Sequence, residues 1–304
     1  MIQFNRELQK ENIKKFSVLI SVYFKDNPAF FSIALKSVIE KQTLTPSEVI
    51  LVKDGPLTQQ LEEVISTFTS RYPNLIKSIT LKENKGLGLA LREGLKHCNF
   101  DIVARMDSDD ISLPNRFKMQ MESINSRKVD IVGSNVLYFD TDLIKFIGIK
   151  KKPEEMNQVR PYAKKRNPLS HVSVMFRKQS VISVGSYENV PFFEDYWLWL
   201  KMLQSGKDFY SIQEPLVIVR YNKGMMIRRG GFEYARKELH FLKRAQKLGF
   251  LSKREYWQAI ALRLPVRLIP FRLRKWFYSS QLCDPIKEED IKTYLEFVKE
   301  ESDC

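Results

Sequence analysis

Cysteine is scarce in this chain: Cys98, Cys283 and Cys304 are the only three in 304 residues, odd in number, far apart and without a CxxC pair. That usage excludes a zinc knuckle or a CxxC redox motif and predicts a reducing compartment. Long hydrophobic runs are missing too, since no stretch of about eighteen apolar residues occurs and the segment Met1 to Lys15 is polar and charged. The expectation is a protein neither exported nor membrane-spanning. There is no Walker A sequence, no local signature of a serine or cysteine nucleophile, and no second histidine or cysteine at zinc-ligand spacing. Internal repeats and low-complexity tracts are likewise absent.

What is present is a foldable composition, with 43% hydrophobic residues and 28% charged residues of both signs, too mixed for a disordered chain. The length fits one main core with an appendage, divided here as residues 1–231 and a helical, basic extension 232–304. The formal net charge of +14 demands a polyanionic neighbour: nucleic acid, anionic lipid or a phosphorylated substrate. Arg263, Arg267, Arg272, Arg274 and Lys275 crowd a stretch, Leu262 to Tyr278, rich in large apolar residues and broken by Pro265 and Pro270. Such a stretch can pack on the core or lie on an anionic membrane surface. The expectation is the membrane surface and no nucleic acid, because no nucleic-acid module accompanies the charge.

Phe16 to Tyr23 is a near-continuous apolar, β-branched run, which predicts a strand buried on both faces of a parallel sheet. Asn27-Pro28 opens a helix, Glu48 to Val52 is a second strand, and Leu61, Val64, Ile65 and Phe68 mark a second helix. Ile76 to Leu81, a helix from Ala90 to His97 and a strand from Asp101 to Met106 continue the alternation. Alternating strands and helices of this length predict βαβ units and a parallel, doubly wound sheet. Beyond Asp110 the pattern predicts a helix at Pro114 to Ser126, a strand at Asp130 to Tyr138 and loop or short helix over Lys150 to Arg166. Strands at Val172 to Phe176 and Leu216 to Tyr221 flank a helix at Tyr196 to Ser205, and everything after Phe232 reads as helical.

In open α/β sheets ligands bind beyond the carboxyl ends of the strands. The residues there are polar: Tyr23, Lys25 and Asp26 after the first strand, Asp54 after the second, Asn84 and Lys85 after the third, and Asp107-Ser108-Asp109-Asp110 after the fourth. Three carboxylates in four residues repel one another unless a cation neutralises them, and a hard divalent ion completed by substrate phosphates fits that need. The same run could simply oppose the dipole of the helix that follows. Gly86-Leu87-Gly88 lacks the third glycine of a dinucleotide fingerprint, so it reads as a tight turn approaching a ligand phosphate or base. Glu194-Asp195 stands between Phe192-Phe193 and Tyr196-Trp197-Leu198-Trp199, where low polarity could raise a carboxylate into the range of a useful base. His171 precedes an apolar strand, a position that suits a structural hydrogen bond as well as a ligand.

Taken in order, VLISVYFKDN, SEVILVKDG, ENKGLGLALREGL, DIVARMDSDDISLPNRFKMQ, NPLSHVSVMFRK and FFEDYWLWLKML resemble the inverting glycosyltransferases of family 2 with the GT-A fold, over the span Phe16 to Tyr221. ARMDSDDISLPNRF resembles the bacterial subset that builds O-antigen, capsule and exopolysaccharide units. The resemblance implies an α/β, GT-A fold with a mostly parallel doubly wound sheet and a helical C-terminal extension. It implies that Tyr23 and Asp54 contact uracil, that Lys85 and Arg105 line the nucleotide pocket, and that Asp107 meets the ribose or the metal. It further implies that Asp109 ligates Mn²⁺ or Mg²⁺ and that Asp195 is the catalytic base, with His171, Glu194 and Trp197 on the acceptor side. Arg92 departs from the pattern, since close relatives often have Asn there.

The activity so implied moves a hexose from a UDP-sugar to a hydroxyl of a polyprenyl-diphosphate-linked saccharide, with inversion, at the cytoplasmic face of the bacterial membrane. Two other readings compete. A sugar-nucleotide pyrophosphorylase would carry a basic glycine-rich loop near the N-terminus, which Val18 to Asn27 lacks. A non-catalytic basic scaffold would show no response to UDP with Mn²⁺.

Overall fold

Strand β1 (Phe16–Val22) is buried along its length. Leu19 faces one hydrophobic core, whereas Phe16, Val18, Ile20 and Val22 face another, so the unbroken apolar run is needed on both sides. β1 pairs in parallel with β2 (Glu48–Lys53) and with β4 (Ile102–Met106), and β3 (Ile76–Thr80) adds in parallel beyond β2. Helix α1 (Pro28–Ile39) starts where Asn27 Oδ1 accepts from the Ala29 and Phe30 backbone N–H groups at 2.9 and 3.2 Å. α1 and α2 (Gln59–Arg71) cover one face of the sheet and α3 (Leu87–His97) the other, which is a doubly wound arrangement.

The computed structural model describes residues 15–221 and 229–270, with Ile227, Leu273 and Tyr294 besides. The expectations for the N-terminal segment up to residue 14, for Cys283 and Cys304, and for Arg272, Arg274, Lys275 and the rest of the stretch from 271 to Tyr278 apart from Leu273 lie outside the described residues.

Across the sheet the order is β3-β2-β1-β4-β8-β6-β9-β5, with β7 paired to β6. β8 (Met175–Arg177) runs antiparallel between β4 and β6 (Ile131–Asp140), and β6 pairs in parallel with β9 (Phe209–Tyr221) over most of its length. The other antiparallel pairings, of β5 (Ile111–Ser112) with β9 and β7 (Phe146–Lys150) with β6, are short. Several boundaries differ from those the sequence predicts. The strand expected at Val172 to Phe176 is a 3-10 turn, His171–Ser173, followed by β8. β9 begins at Phe209 rather than Leu216, because its pairing with β6 shifts register near Pro215 and then resumes. α4 (Arg116–Ser126) backs β6, while the basic segment holds α5 (Met156–Ala163), and α6 (Lys178–Ser183) follows β8.

The C-terminal helices share the main core. α7 (Glu194–Gln204) receives α8 (Phe232–Lys247), with Phe241 4.8 Å from Phe193 and 4.7 Å from Tyr196 between ring centroids. α9 (Lys253–Leu268) is then tied to α8 by fully buried Glu238, whose carboxylate accepts from Arg263 and Arg267 at 2.7 and 2.6 Å. This corrects one expectation: Arg263 and Arg267 are not offered to lipid but are spent on an internal ion pair.

Candidate active site

The crevice is assembled at the carboxyl ends of β1, β2 and β4. The Asp54 backbone N–H donates to the Val22 carbonyl at 2.8 Å, tying the first two ends together. Its buried carboxylate accepts from the backbone N–H groups of Lys85 at 2.7 Å and Gly86 at 3.0 Å. Lys85 therefore meets Asp54 through its backbone, and its side chain is exposed. Gly55, at φ +89°, permits this approach, since a Cβ there would stand 2.6 Å from the Asn84 nitrogen. At Gly88 a Cβ would stand 2.5 Å from the Glu188 carbonyl oxygen and 3.2 Å from the Glu194 Cβ. The expectation of a turn facing a ligand phosphate is thereby corrected at Gly88, which instead brings the start of α3 against the segment carrying Glu194.

Side-chain alternation along β4 sends Ala104 and Met106 into one core and Arg105 to the opposite face. Arg105 is 1% exposed and donates to Asp107, while its Nε and Nη1 have no partner among the described residues. A buried guanidinium with unmatched donors is costly unless an anion arrives. Asp26 accepts from the Tyr23 backbone N–H at 3.0 Å and from the Ser108 hydroxyl at 2.8 Å. Tyr23 itself packs edge-on against Phe24. From β9, Arg220 donates its backbone N–H to Asp110 at 3.0 Å and its Nε–H to the Asp109 carbonyl at 2.8 Å. Burial, then the charges of Asp107 and Asp26, push Asp109 up to about 6. Asp26 is likewise raised to about 6, first by burial and further by Asp107, and Asp110 is raised well above the carboxylate range by burial and Asp109.

These shifts carry a sign. From pH 3.8 to about 6 the folded chain keeps protons on Asp26 and Asp109 that the unfolded chain has released, so their contribution to stability is present below that window and is lost as pH rises through it. In divalent-free buffer, Asp26→Asn is accordingly expected to gain stability relative to the parent as pH rises from about 4 to 7. Thermal melts of both proteins across that range check it, and a constant difference contradicts it.

The second half of the chain supplies the opposite wall. α7 opens on Glu194 and Asp195, and Asp195 Oδ2 accepts from Asn167 Nδ2 at 2.6 Å. The backbone carbonyl of Asn167 in turn accepts from Lys152 Nζ at 2.7 Å, so a buried lysine holds the main chain of the residue whose carboxamide meets Asp195. Burial, then Asp195, raise Glu194 to about 7, and the charges of Arg105 and Asp107 also reach it. Glu194 thus stands within electrostatic reach of Arg105 and Asp107 at the end of β4. His171 Nε2 lies 3.0 Å from the Tyr187 hydroxyl, and burial followed by Arg105 hold the imidazole neutral. Trp197 is buried and turned toward α8, with the Arg244 guanidinium 4.3 Å from its ring.

Asn167, Lys152 and Arg220 are site residues that the sequence reading missed. Asn167 opens the NPLSH segment and Asp26 stands among the polar strand ends, so both had a local signal. Lys152 and Arg220 had none, because only the pairing of β7, β6 and β9 carries them to the crevice.

A doubly wound sheet with acids gathered beyond its parallel strand ends is the architecture of a nucleotide-binding enzyme. This chain belongs to glycosyl transferase family 2, whose model matches residues 17–190. It is 39% identical over 271 residues to the UDP-Gal:alpha-D-GlcNAc-diphosphoundecaprenol beta-1,3-galactosyltransferase of Escherichia coli, covering 89% of this chain and 97% of that one. It is 37% identical to the amylovoran biosynthesis glycosyltransferase AmsE of Erwinia amylovora, over 87% and 98% of the two chains. Residues 1–349 of S. aureus TarS, solved in complex with UDP-GlcNAc, superpose with a TM-score of 0.61 at 16% identity, covering 83% of this chain and 72% of that one. The fold is GT-A, and the protein is a glycosyltransferase.

Proposed function

We propose that this protein transfers a hexose, galactose being the first choice, from its UDP-sugar to a hydroxyl of an N-acetylhexosamine carried on a polyprenyl diphosphate, with inversion to a β-linkage. The observation that supports this reading is that Asp54, the Arg105–Asp107 pair and Asp109 stand beyond the ends of β2 and β4, with Glu194, the neighbour of Asp195, in electrostatic reach of Arg105 and Asp107. The similarity to the E. coli galactosyltransferase over nearly its whole length supports the choice of donor and acceptor.

In this reading Tyr23 and Asp54 hold the uracil; each Asp54 oxygen keeps a lone pair beyond its backbone bond. Arg105 offers its unmatched donors to the nucleotide's negative charge. Asp195 takes the proton of the acceptor hydroxyl as that oxygen bonds to the anomeric carbon, and the bond from that carbon to the diphosphate breaks, releasing UDP. Asp107 and Asp109 would hold Mn²⁺ or Mg²⁺, which would supply positive charge to the departing diphosphate. The donor set fits such an ion: the oxygens are hard, burial and the neighbouring carboxylates disfavour ionised Asp109 without a cation, and these ions normally take one or two carboxylates and complete their shell with phosphate. Among the described residues no three His, Cys, Asp or Glu side chains form a closed cage.

A lipid-borne acceptor calls for contact with the membrane. No described helix is long and apolar enough to cross one. α9, however, turns Arg263 and Arg267 inward onto Glu238 and leaves Trp257, Leu262 and Leu268 exposed at 65%, 71% and 59%. Exposed Trp257, Leu262 and Leu268 beside the basic α8 suit docking on an anionic bilayer surface.

With UDP-galactose, Mn²⁺ and a synthetic alkyl-diphosphate N-acetylglucosamine, the expected products are UDP and a β-linked disaccharide, read by NMR. A chelator should stop turnover, and Asp109→Ala should lose the Mn²⁺-dependent part of the UDP thermal shift. Absence of UDP release with every UDP-hexose overturns the reading.

A further inference from the structure

A cationic cleft lies outside the crevice described above. Its walls are the segment Asn189–Pro191 and the outer side of α8, where Arg236, Lys237, His240 and Arg244 line a volume of about 380 Å³. From Arg236 to Lys247 every charged side chain that reaches the surface is basic, and the one acid in that span, Glu238, is buried. The neighbouring carboxylates are already engaged. Glu188 is held by Arg244 at 2.5 Å and Lys201 at 2.7 Å, and Glu233 by Lys237 at 2.7 Å. Arg236 has no ion pair among the described residues. Lys237 and Arg244 thus each share their charge with one of these carboxylates, while Arg236 leaves the cleft with a net positive charge that attracts an anion.

Its position is as telling as its charge. Pro191 is followed directly by Phe192, Phe193, Glu194 and Asp195, and four residues of chain reach at most about 14 Å. Phe192 sits at φ +73°, in the left-handed region that strains a bulky residue. It is 44% exposed, with Lys237 Nζ 4.8 Å and the Tyr234 ring 5.3 Å from its centroid. The strained backbone thus holds an exposed aromatic ring beside Lys237 of the cleft, three residues before Asp195 in the chain.

We propose that this cleft receives the diphosphate of the lipid-linked acceptor, so that the attached sugar lies toward Phe192 with its hydroxyl directed to Asp195. The proposal rests on the acceptor class argued above. Guanidinium groups such as Arg236 and Arg244 match phosphate oxygens in a two-pronged fashion, and Lys237 adds a point charge. This surface selects an acceptor by the anionic link next to its first sugar, a separate task from holding UDP.

Binding is tested apart from catalysis, with a short-chain prenyl diphosphate as a sugar-free probe. Arg236→Ala combined with His240→Ala changes two exposed side chains, and UDP affinity serves as the check on folding. Calorimetry should show probe affinity falling roughly ten- to a hundredfold, the scale of one or two charge-assisted hydrogen bonds. The preference for diphosphate-linked N-acetylglucosamine over its alkyl glycoside lacking the diphosphate should fall by a similar factor. Unchanged probe binding overturns the proposal. So does a variant that loses affinity for phosphatidylglycerol vesicles yet keeps the acceptor preference, because the cleft then serves lipid headgroups. If the parent protein binds the probe, the variant does not, and no diphosphate-linked acceptor is glycosylated, the cleft stands as a diphosphate site and the acceptor reading fails.

Discussion

Asp195→Asn is expected to lower turnover by roughly 10²- to 10⁴-fold, the usual share of a general base, while UDP affinity stays at the parent value. The substitution keeps size and shape, and its side-chain oxygen can still accept from Asn167, whose Nδ2 lies 2.6 Å from Asp195 Oδ2. What it removes is the ability to take a proton from the acceptor hydroxyl. The donor side is untouched, because Asp54, Arg105 and Asp107 reach their positions from β2 and β4. Glu194 is the rival for the role, with a carboxyl raised to about 7. A pH profile of the parent and loss of activity in Glu194→Gln together separate the two: if Glu194 were the base, the parent would lose turnover below an acid limb near 7 and Glu194→Gln would be inactive at every pH. Single-turnover product formation beside a UDP titration gives the decision, and near-normal turnover by Asp195→Asn rejects the assignment.

The second large effect is on stability. Glu238→Ala should cost roughly 3–5 kcal/mol, the range for removing one partner from a buried ion pair. Glu238 is fully buried, and the side chains of Arg263 and Arg267 are only 15% and 13% exposed. The alanine would strand two guanidiniums against the rings of Tyr196 and Tyr234, which lie 5.6 and 4.9 Å from them. The arginines hold the Glu238 carboxyl below its usual range in spite of its burial, so the bridge is charged at neutral pH. Denaturant melts measure the loss. Replacing Glu238, Arg263 and Arg267 together by apolar residues of similar size should recover much of it, since desolvation of the ions then disappears. A single variant within about 1 kcal/mol of the parent would show that α9 is held by other contacts.

The membrane contact assigned to α9 follows from the same arrangement. A helix normally buries its apolar side and exposes its charges. Here Glu238 draws the arginines inward, and Trp257, Leu262 and Leu268 are left outside.

Much of the catalytic half was legible in residue order. The apolar run of β1, the Asn27-Pro28 start of α1 and the acids after β4 are local signals, because strand burial, helix capping and strand-end polarity depend on near neighbours in sequence. Those signals yielded the doubly wound architecture, and with the order of motifs they yielded the family. The crevice walls were another matter. Whether Arg263 faced lipid or Glu238, whether Gly88 faced a phosphate or the Glu188 carbonyl, and which residues braced Asp195 all depended on partners far away along the chain. Local pattern records what a segment prefers to bury; only packing chooses the partner, because a buried charge or donor takes its energy from whatever group the folded chain brings within about 3 Å.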